Sequence, residues 1–330
     1  MKEVWDKKAK TFPRYIANSD EDKPIFEYFK NAGIDFSGKN VLDLGCGNGR
    51  YALALAQNAK NVLCFDISPN MLENVKADAK KHGFSNIHTF CGDWGEFDIA
   101  EFGEFRDKID IVFASLTPAL NSFEKFEKAY NLAKEAIMYI GWGRKRENAY
   151  LNAVFKAHNA EVALPTGAMN VTEYLESLGL EVPPVHFITK TIHHRKTLES
   201  AVADASWQLE AHEVTPNIEL IKEVSLKWRE ADYLNSSDLE DSATPRVSAY
   251  SSDSVLPKLD SRDSLDSADS ANSTDSSEVR EFKDLADSRD LRIGKIDENN
   301  EMKCYDITDN GENIVHYKSI MEIGIMAIRK

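Results

Sequence analysis

A doubly wound α/β fold is the architecture that this 330-residue sequence predicts, and three observations predict it. An apolar strand, Val41-Leu42-Asp43-Leu44, runs into the glycine-rich turn Gly45-Cys46-Gly47-Asn48-Gly49-Arg50 and then into a helix. A second apolar strand ends on a single acid, Asp66. From Val41 onward strand and helix patterns alternate, which implies a parallel sheet with helices on both faces. A glycine turn after one strand and an acid after the next is how such a sheet holds a nucleoside-containing cofactor.

Residues 1–39 read as an amphipathic helical cover, with Trp5, Phe12, Tyr15, Ile25, Phe26 and Phe29 set among charges. Residues 40–234 read as the core. Strand one is predicted over 40–44 with its helix over 51–58, and strand two over 61–67. Ser68-Pro69 then supplies an N-cap and a proline at the first helical position, opening a helix that runs to about His82. Strand three is predicted over 87–91, strand four over 109–114 and strand five over 136–140. Helices follow over 147–158 and 172–178, the second stopped by Gly179. Strand six covers 185–192, with further helices over 198–212 and from Thr215-Pro216 to about Tyr233.

Composition then changes. Between Asn235 and Arg280 Ser and Asp dominate, as in Asp260-Ser261-Arg262-Asp263-Ser264, with ten acidic and four basic side chains for a net −6. Apolar residues there are too sparse to offset the entropy of ordering, so residues 235–290 read as a disordered insert and solvated spacer. Pattern returns over 302–307 and 313–317 around Asp309-Asn310-Gly311, which reads as a hairpin turn, and 319–328 reads as a last apolar strand. Residues 291–330 would thus be a C-terminal hairpin and final strand completing the core sheet.

The net charge of −15 argues against sequence-independent nucleic-acid binding, which depends on neutralising phosphates with Lys and Arg. No apolar run approaches ~18 residues, so no membrane span is expected. The first eight residues lack the apolar segment of a secretory signal, and a cytoplasmic location is the expectation. Cys46, Cys64, Cys91 and Cys304 form no C-x-x-C pair; three fall in or beside expected buried strands, and all read as free packed thiols, with no metal-ligating set.

The glycine spacing narrows the cofactor. A dinucleotide turn, G-x-G-x-x-G, uses its third glycine for close helix packing; counted from Gly45, that place is held by Arg50. What stands instead is D-x-G-x-G-x-G, starting at Asp43. This resembles motif I of the class I S-adenosylmethionine-dependent methyltransferases. A carboxylate at Asp43 suits a ligand with an amino group and a sulfonium, and repels a pyrophosphate. The Trp5-Asp6-x-x-Ala9 start also looks like the family's helical N-terminal cover. The resemblance implies a Rossmann-like seven-stranded sheet of order 3-2-1-4-5-7-6, strand seven antiparallel, and S-adenosyl-L-methionine as cofactor. It is specific over about residues 40–115 and looser beyond.

In open α/β sheets ligands sit outside the carboxyl ends of the strands, which selects the loops to inspect. After strand one, Gly45, Gly47 and Gly49 allow close backbone approach, with Cys46 in the same turn. After strand two, Asp66 can accept from two ribose hydroxyls, with Ile67 beside it. After strand three, Asp93 resembles the family's adenine-binding acid, and Trp94 could flank the purine. After strand four, Ser115, Thr117 and Asn121 could line the transfer site, Ser115 also touching the cofactor. That loop lacks both the Asn/Asp-Pro-Pro-Tyr/Phe motif of amino-directed DNA methyltransferases and the cysteine nucleophile of the pyrimidine C5 enzymes. After strand five, Trp142 and the cations Arg144, Lys145 and Arg146 would stand at the substrate mouth, able to recognise a carboxylate or phosphate. After strand six, His193-His194-Arg195 offers at most one histidine to the site, because neighbours on a strand point to opposite faces. His193 is kept as a weak base candidate.

The resulting expectation is a methyltransferase acting on a small-molecule acceptor by in-line displacement of the sulfonium methyl, working by positioning in a dry pocket. A protein or RNA methyltransferase is the runner-up. An NAD-dependent oxidoreductase is disfavoured by Asp43 and Arg50, and a non-catalytic binding or scaffold module built on the Ser/Asp-rich insert is the reading from another class.

Overall fold

The computed structural model describes residues 1–17, 19, 22–228, 295–296, 302–303 and 313–330. Its main sheet is built from β1 (Asn40–Leu44), β2 (Asn61–Asp66), β3 (Ile87–Cys91), β4 (Ile111–Ser115), β5 (Ala136–Asn148), β6 (His186–Thr197) and β9 (Ile314–Arg329). Their order is β3-β2-β1-β4-β5-β9-β6, with β9 antiparallel to both its neighbours, as the resemblance implies for strand seven. The central strands β1, β2 and β4 are almost wholly buried because helices cover both faces, which is what a parallel sheet requires.

On one face Val41, Cys64, Phe113, Met138 and Ile325 pack under α2 (Lys23–Asn31), α3 (Arg50–Ala56) and α4 (Pro69–His82). On the other, Leu42, Leu63, Val112, Tyr139 and Met326 pack under α5 (Phe123–Leu132) and α7 (Ala168–Ser177). A third cluster joins α6 (Ala149–Ala157), α8 (Leu198–Ala211) and α9 (Ile218–Leu226) to Val315 and Tyr317 of β9. Local signals set the helix ends: Ser68 caps α4 by accepting from the Met71 N–H at 3.2 Å, and Gly83 closes it in the left-handed region at φ 76°. The N-terminal cover is α1 (Lys2–Lys8) and α2, with non-helical chain between them.

Four expectations are corrected. Strand five does not stop at Ile140: β5 runs to Asn148, because β9 supplies partners beyond the end of β4, up to Asn148↔Ser319. Strand six likewise continues to Thr197, opposite Ile314. Gly141–Arg146 and His193–Arg195 are therefore strand, not mouth loops. The hairpin is also replaced. Residues 314–317 are the start of β9 and pair with β6, while β8 (Met302–Lys303) pairs with β7 (Lys295–Ile296); the turn at Asp309–Gly311 and the whole 235–290 insert lie outside the described residues. Finally, Cys91 is exposed at the end of edge strand β3, whereas Cys46 and Cys64 are buried free thiols.

The chain leaves this unit after α9 and returns to it at β9. The departure and return points are adjacent: the His316 N–H donates to the Trp228 carbonyl at 2.9 Å, and Leu198 N–H to the Asn313 carbonyl at 2.9 Å. No helix among the described residues is long and apolar enough to cross a membrane.

Candidate functional site

A cavity of about 290 Å³ opens at the carboxyl ends of β1, β2 and β4. Asp43, Gly45, Cys46, Gly47, Asp66, Ile67, Asp93, Trp94, Ser115, Thr117 and Asn121 all border it. Gly49 and His193 do not. Gly49, at φ 80°, is the left-handed N-cap of α3, and a Cβ there would meet Leu53 and Val75 at 2.9 Å, so it serves helix packing. His193 lies on exposed strand opposite Lys318 because β6 continues past it.

The turn after β1 is shaped by close approach. A Cβ on Gly45 (φ 75°) would lie 2.0 Å from Thr117 Oγ1, and one on Gly47 (φ 53°) 2.7 Å from the Phe12 ring. The Gly47 N–H donates to Asp66 Oδ2 at 2.9 Å and the Ser68 N–H to Asp66 Oδ1 at 2.9 Å, which fixes that carboxylate at the strand end. Burial still holds the Asp66 carboxyl above the usual carboxylate range, the backbone donors opposing it.

Asp43 differs. Its Oδ2 is buried and has no hydrogen-bond partner. Burial first, and the Asp66 charge second, push its carboxyl up to about 8. Burial also raises the Cys46 thiol well above its ordinary value, so that sulfur is an apolar wall and not a thiolate. Each carboxyl thus lines the cavity, with the charge of Asp66 disfavouring the ionised form of Asp43.

The loop after β4 carries backbone strain. Leu116 takes φ 48°, rare for a bulky residue, and its N–H donates to the Ile140 carbonyl at 2.7 Å. This places Ser115, Leu116 and Thr117 along the cavity wall. Asp93 accepts from the Gly95 N–H at 2.8 Å and stands 3.8 Å from the Lys125 ammonium. Trp94 borders the cavity but is anchored in the core, its indole N–H donating to the Lys125 carbonyl at 3.0 Å and its ring meeting Phe65 edge-on.

Sequence reasoning expected an N-terminal cover, with the segment around Met169–Gly179, as a lid, but did not name the residues that roof the cavity, and none of 169–179 borders it. Met1, Trp5, Phe12 and Pro13 border the cavity, as do Arg50, Tyr51 and Lys125. The signal was present at Asn48, whose side-chain amide donates to the carbonyls of Ala9 (2.9 Å) and Phe12 (2.8 Å); Asn74 donates to Ala9 (3.1 Å) and to Asn48 Oδ1 (2.9 Å). A polar residue inside a glycine turn thus ties the N-terminal segment over the turn. On its far side α1 is held by α8, where Trp207 Nε1 donates to the Val4 carbonyl at 3.0 Å and Lys8 pairs with Asp204 at 2.9 Å.

Residues 35–141 match the family model described as a methyltransferase domain. An uncharacterized protein of Methanocaldococcus jannaschii is 30% identical over 175 residues, 48% of this chain and 44% of that protein. A 23S rRNA (uracil(1939)-C(5))-methyltransferase of Aeromonas hydrophila is 32% identical over 101 residues, 30% of this chain and 22% of that enzyme. The chain thus spans less than half the length of these relatives. The crystal structure of a putative methyltransferase from Bacillus halodurans aligns over 92% of this chain and 98% of its own at 14% identity and a TM-score of 0.45, too distant to argue from.

Proposed function

We propose that the protein, whose residues 35–141 match a methyltransferase domain, is a class I S-adenosylmethionine-dependent enzyme that transfers a methyl group from S-adenosyl-L-methionine to a small-molecule acceptor. The observation that carries this reading is the buried, partnerless Oδ2 of Asp43 beside Asp66 at the cavity. Such an oxygen is costly until a donor arrives, and an α-ammonium is a donor with the right charge. Asp43 would hold the cofactor's amino group, Asp66 its ribose hydroxyls through the lone pairs left beside its backbone bonds, and Asp93 the adenine amine. Gly45 and Gly47 keep the turn bare so that the methionine portion can lie against backbone.

The cofactor supplies a methyl already activated on a sulfonium. The residues around it bind, orient and exclude water, which suffices for in-line displacement when the acceptor is nucleophilic. Phe12 and Trp5 roof the cavity, and Leu116 with Tyr51 forms an apolar wall beside Ser115. A roofed cavity favours a small acceptor over a flat macromolecular one, and a net charge of −15 disfavours polyphosphate partners. RNA is the second reading, favoured by the rRNA-modifying relative, whose match covers 30% of the chain.

Calorimetric titration with S-adenosylhomocysteine tests the proposal. We expect saturable binding by the wild type, weakened at least tenfold in Asp66→Ala. A folded wild type that binds none would leave the scaffold reading in its place.

A further inference from the structure

Between Trp142 and Arg146, three residues of β5 stand opposite the single Glu322 of β9. Bulges of this kind re-aim side chains. Arg144 is turned toward Glu322, its N–H donating to Oε1 at 2.7 Å with the guanidinium 3.4 Å from the same oxygen, and it stacks on Phe187 at 4.2 Å. Arg146 lands opposite Met321, and Met321 in turn opposes Lys190 of β6. Directly opposed residues share a sheet face. Met321 packs against the cluster that includes Tyr51 and Leu116, and both of those border the cavity. Arg146 and Lys190 therefore share the sheet face of Met321, Tyr51 and Leu116, on strands that continue past the end of β4, beyond the residues that border the cavity itself.

The two arginines differ in partners. Arg144 has its carboxylate. Arg146 is half-buried, its guanidinium lies over the Trp142 ring at 4.8 Å, and among the described residues it makes no hydrogen bond or ion pair. Burial lowers its pKa and no acceptor offsets the loss. Removing a charge from water without pairing it costs stability, so folding alone gives no reason for this placement. A stacked guanidinium is a different matter as a ligand site, because the ring fixes its plane and leaves the fork of donors in place.

We propose that Arg146, oriented by Trp142 and backed by Lys190, binds an oxyanion of the methyl acceptor, so that the acceptor is a small molecule carrying a carboxylate or a phosphate. The inference rests on the methyltransferase reading above. One planar fork suits bidentate capture of one oxyanion. A nucleic-acid backbone would ask instead for a run of cations, which this face does not offer.

The test uses the full chain and separates the two layers. Titration with S-adenosylhomocysteine comes first, on wild type and Arg146→Gln; equal binding checks the cofactor site independently, and its absence in both refutes that site and not this one. The loaded proteins are then titrated with benzoate, phenyl phosphate and benzamide, which tell carboxylate from phosphate and both from a neutral ring. At least one anion is expected to bind saturably, benzamide at least tenfold more weakly, and Arg146→Gln to lose that anion at least tenfold. Arg146→Lys, which keeps charge but not the fork, is expected to recover only part. Since Arg146 has no carboxylate to orphan and its unpaired charge costs stability, circular dichroism should match the wild type and the melting point should equal or exceed it. Benzamide binding as well as the anions, anions binding Arg146→Gln unchanged, no anion binding to the loaded wild type, or bulk RNA binding through Arg146 while the small anions do not, would each overturn the proposal.

Discussion

Burying Asp43 beside Asp66 sets an electrostatic cost on its ionised form, which a proton or a bound cation relieves. With its carboxyl pushed up to about 8 by burial and by Asp66, the folded protein keeps that proton over a range where the unfolded chain, at the ordinary 3.8, has lost it. The native state binds more protons between those limits, so this group makes stability fall as pH rises from about 4 to about 8. Asp43→Asn removes the titration and the repulsion. We expect the variant to melt a few degrees above wild type at pH 8, by about 1–3 kcal/mol, and to converge with it near pH 4. The same substitution should weaken S-adenosylhomocysteine binding at least tenfold. At pH 7 wild-type binding should release about one proton, seen as a binding enthalpy that changes with the buffer, and the Asn variant should not. Asp43 was legible in the sequence because it stands two residues before the first glycine of the D-x-G-x-G-x-G turn. Its missing partner was not, since only the packed structure shows which donors stay away.

The roof is an element-scale device with a residue-scale fastening. Asn48 and Asn74 hold the Ala9 and Phe12 carbonyls, so the segment between α1 and α2 depends on few bonds outside its own sequence. In Asn48→Ala the Phe12 carbonyl loses its side-chain donor and the Ala9 carbonyl keeps only that of Asn74, at about 1–3 kcal/mol by the cost of an unmade buried bond. The variant should be cut by trypsin after Lys10 and Arg14 at least tenfold faster than wild type, with the global melting point moving far less, and S-adenosylhomocysteine should restore protection. Uniform cleavage rates would show that the roof is held elsewhere. Elements with internal periodicity were readable in advance: β1, β2, α4 and the Ser68-Pro69 start depend on local pattern and caps. The extension of β5 was not, because Gly141–Arg146 is strand only through its pairing with β9, about 180 residues away in sequence. Arg144, Lys145 and Glu147 of that extension are exposed, so polar residues stand where a buried strand would be apolar, and the pattern read as loop.

At the scale of the whole chain, the sheet is closed by a strand that arrives from far along the sequence, and its arrival point is fixed by the strand's own ladders. Every residue of β6 from His186 to Thr197 has a partner on β9, and β9 also pairs with β5 to Arg329. The excursion leaves at Trp228 and returns at His316 across a single 2.9 Å backbone bond. Nothing in that geometry needs a long connection, and loop-closure entropy favours a short one. Replacing residues 231–311 with a Gly/Ser linker of about six residues should therefore leave the core folded, with a melting point equal to or a degree or two above that of the full chain. S-adenosylhomocysteine affinity should stay within threefold, because the described residues that border the cavity all lie outside the replaced stretch. Loss of the cooperative transition in the shortened protein would mean that residues 231–311 contribute to the core sheet's stability, and loss of ligand binding with the fold intact would place part of the site in them. Retention of both would make the Ser/Asp-rich stretch an appendage whose role, whatever it is, is exercised outside the methyl-transfer core.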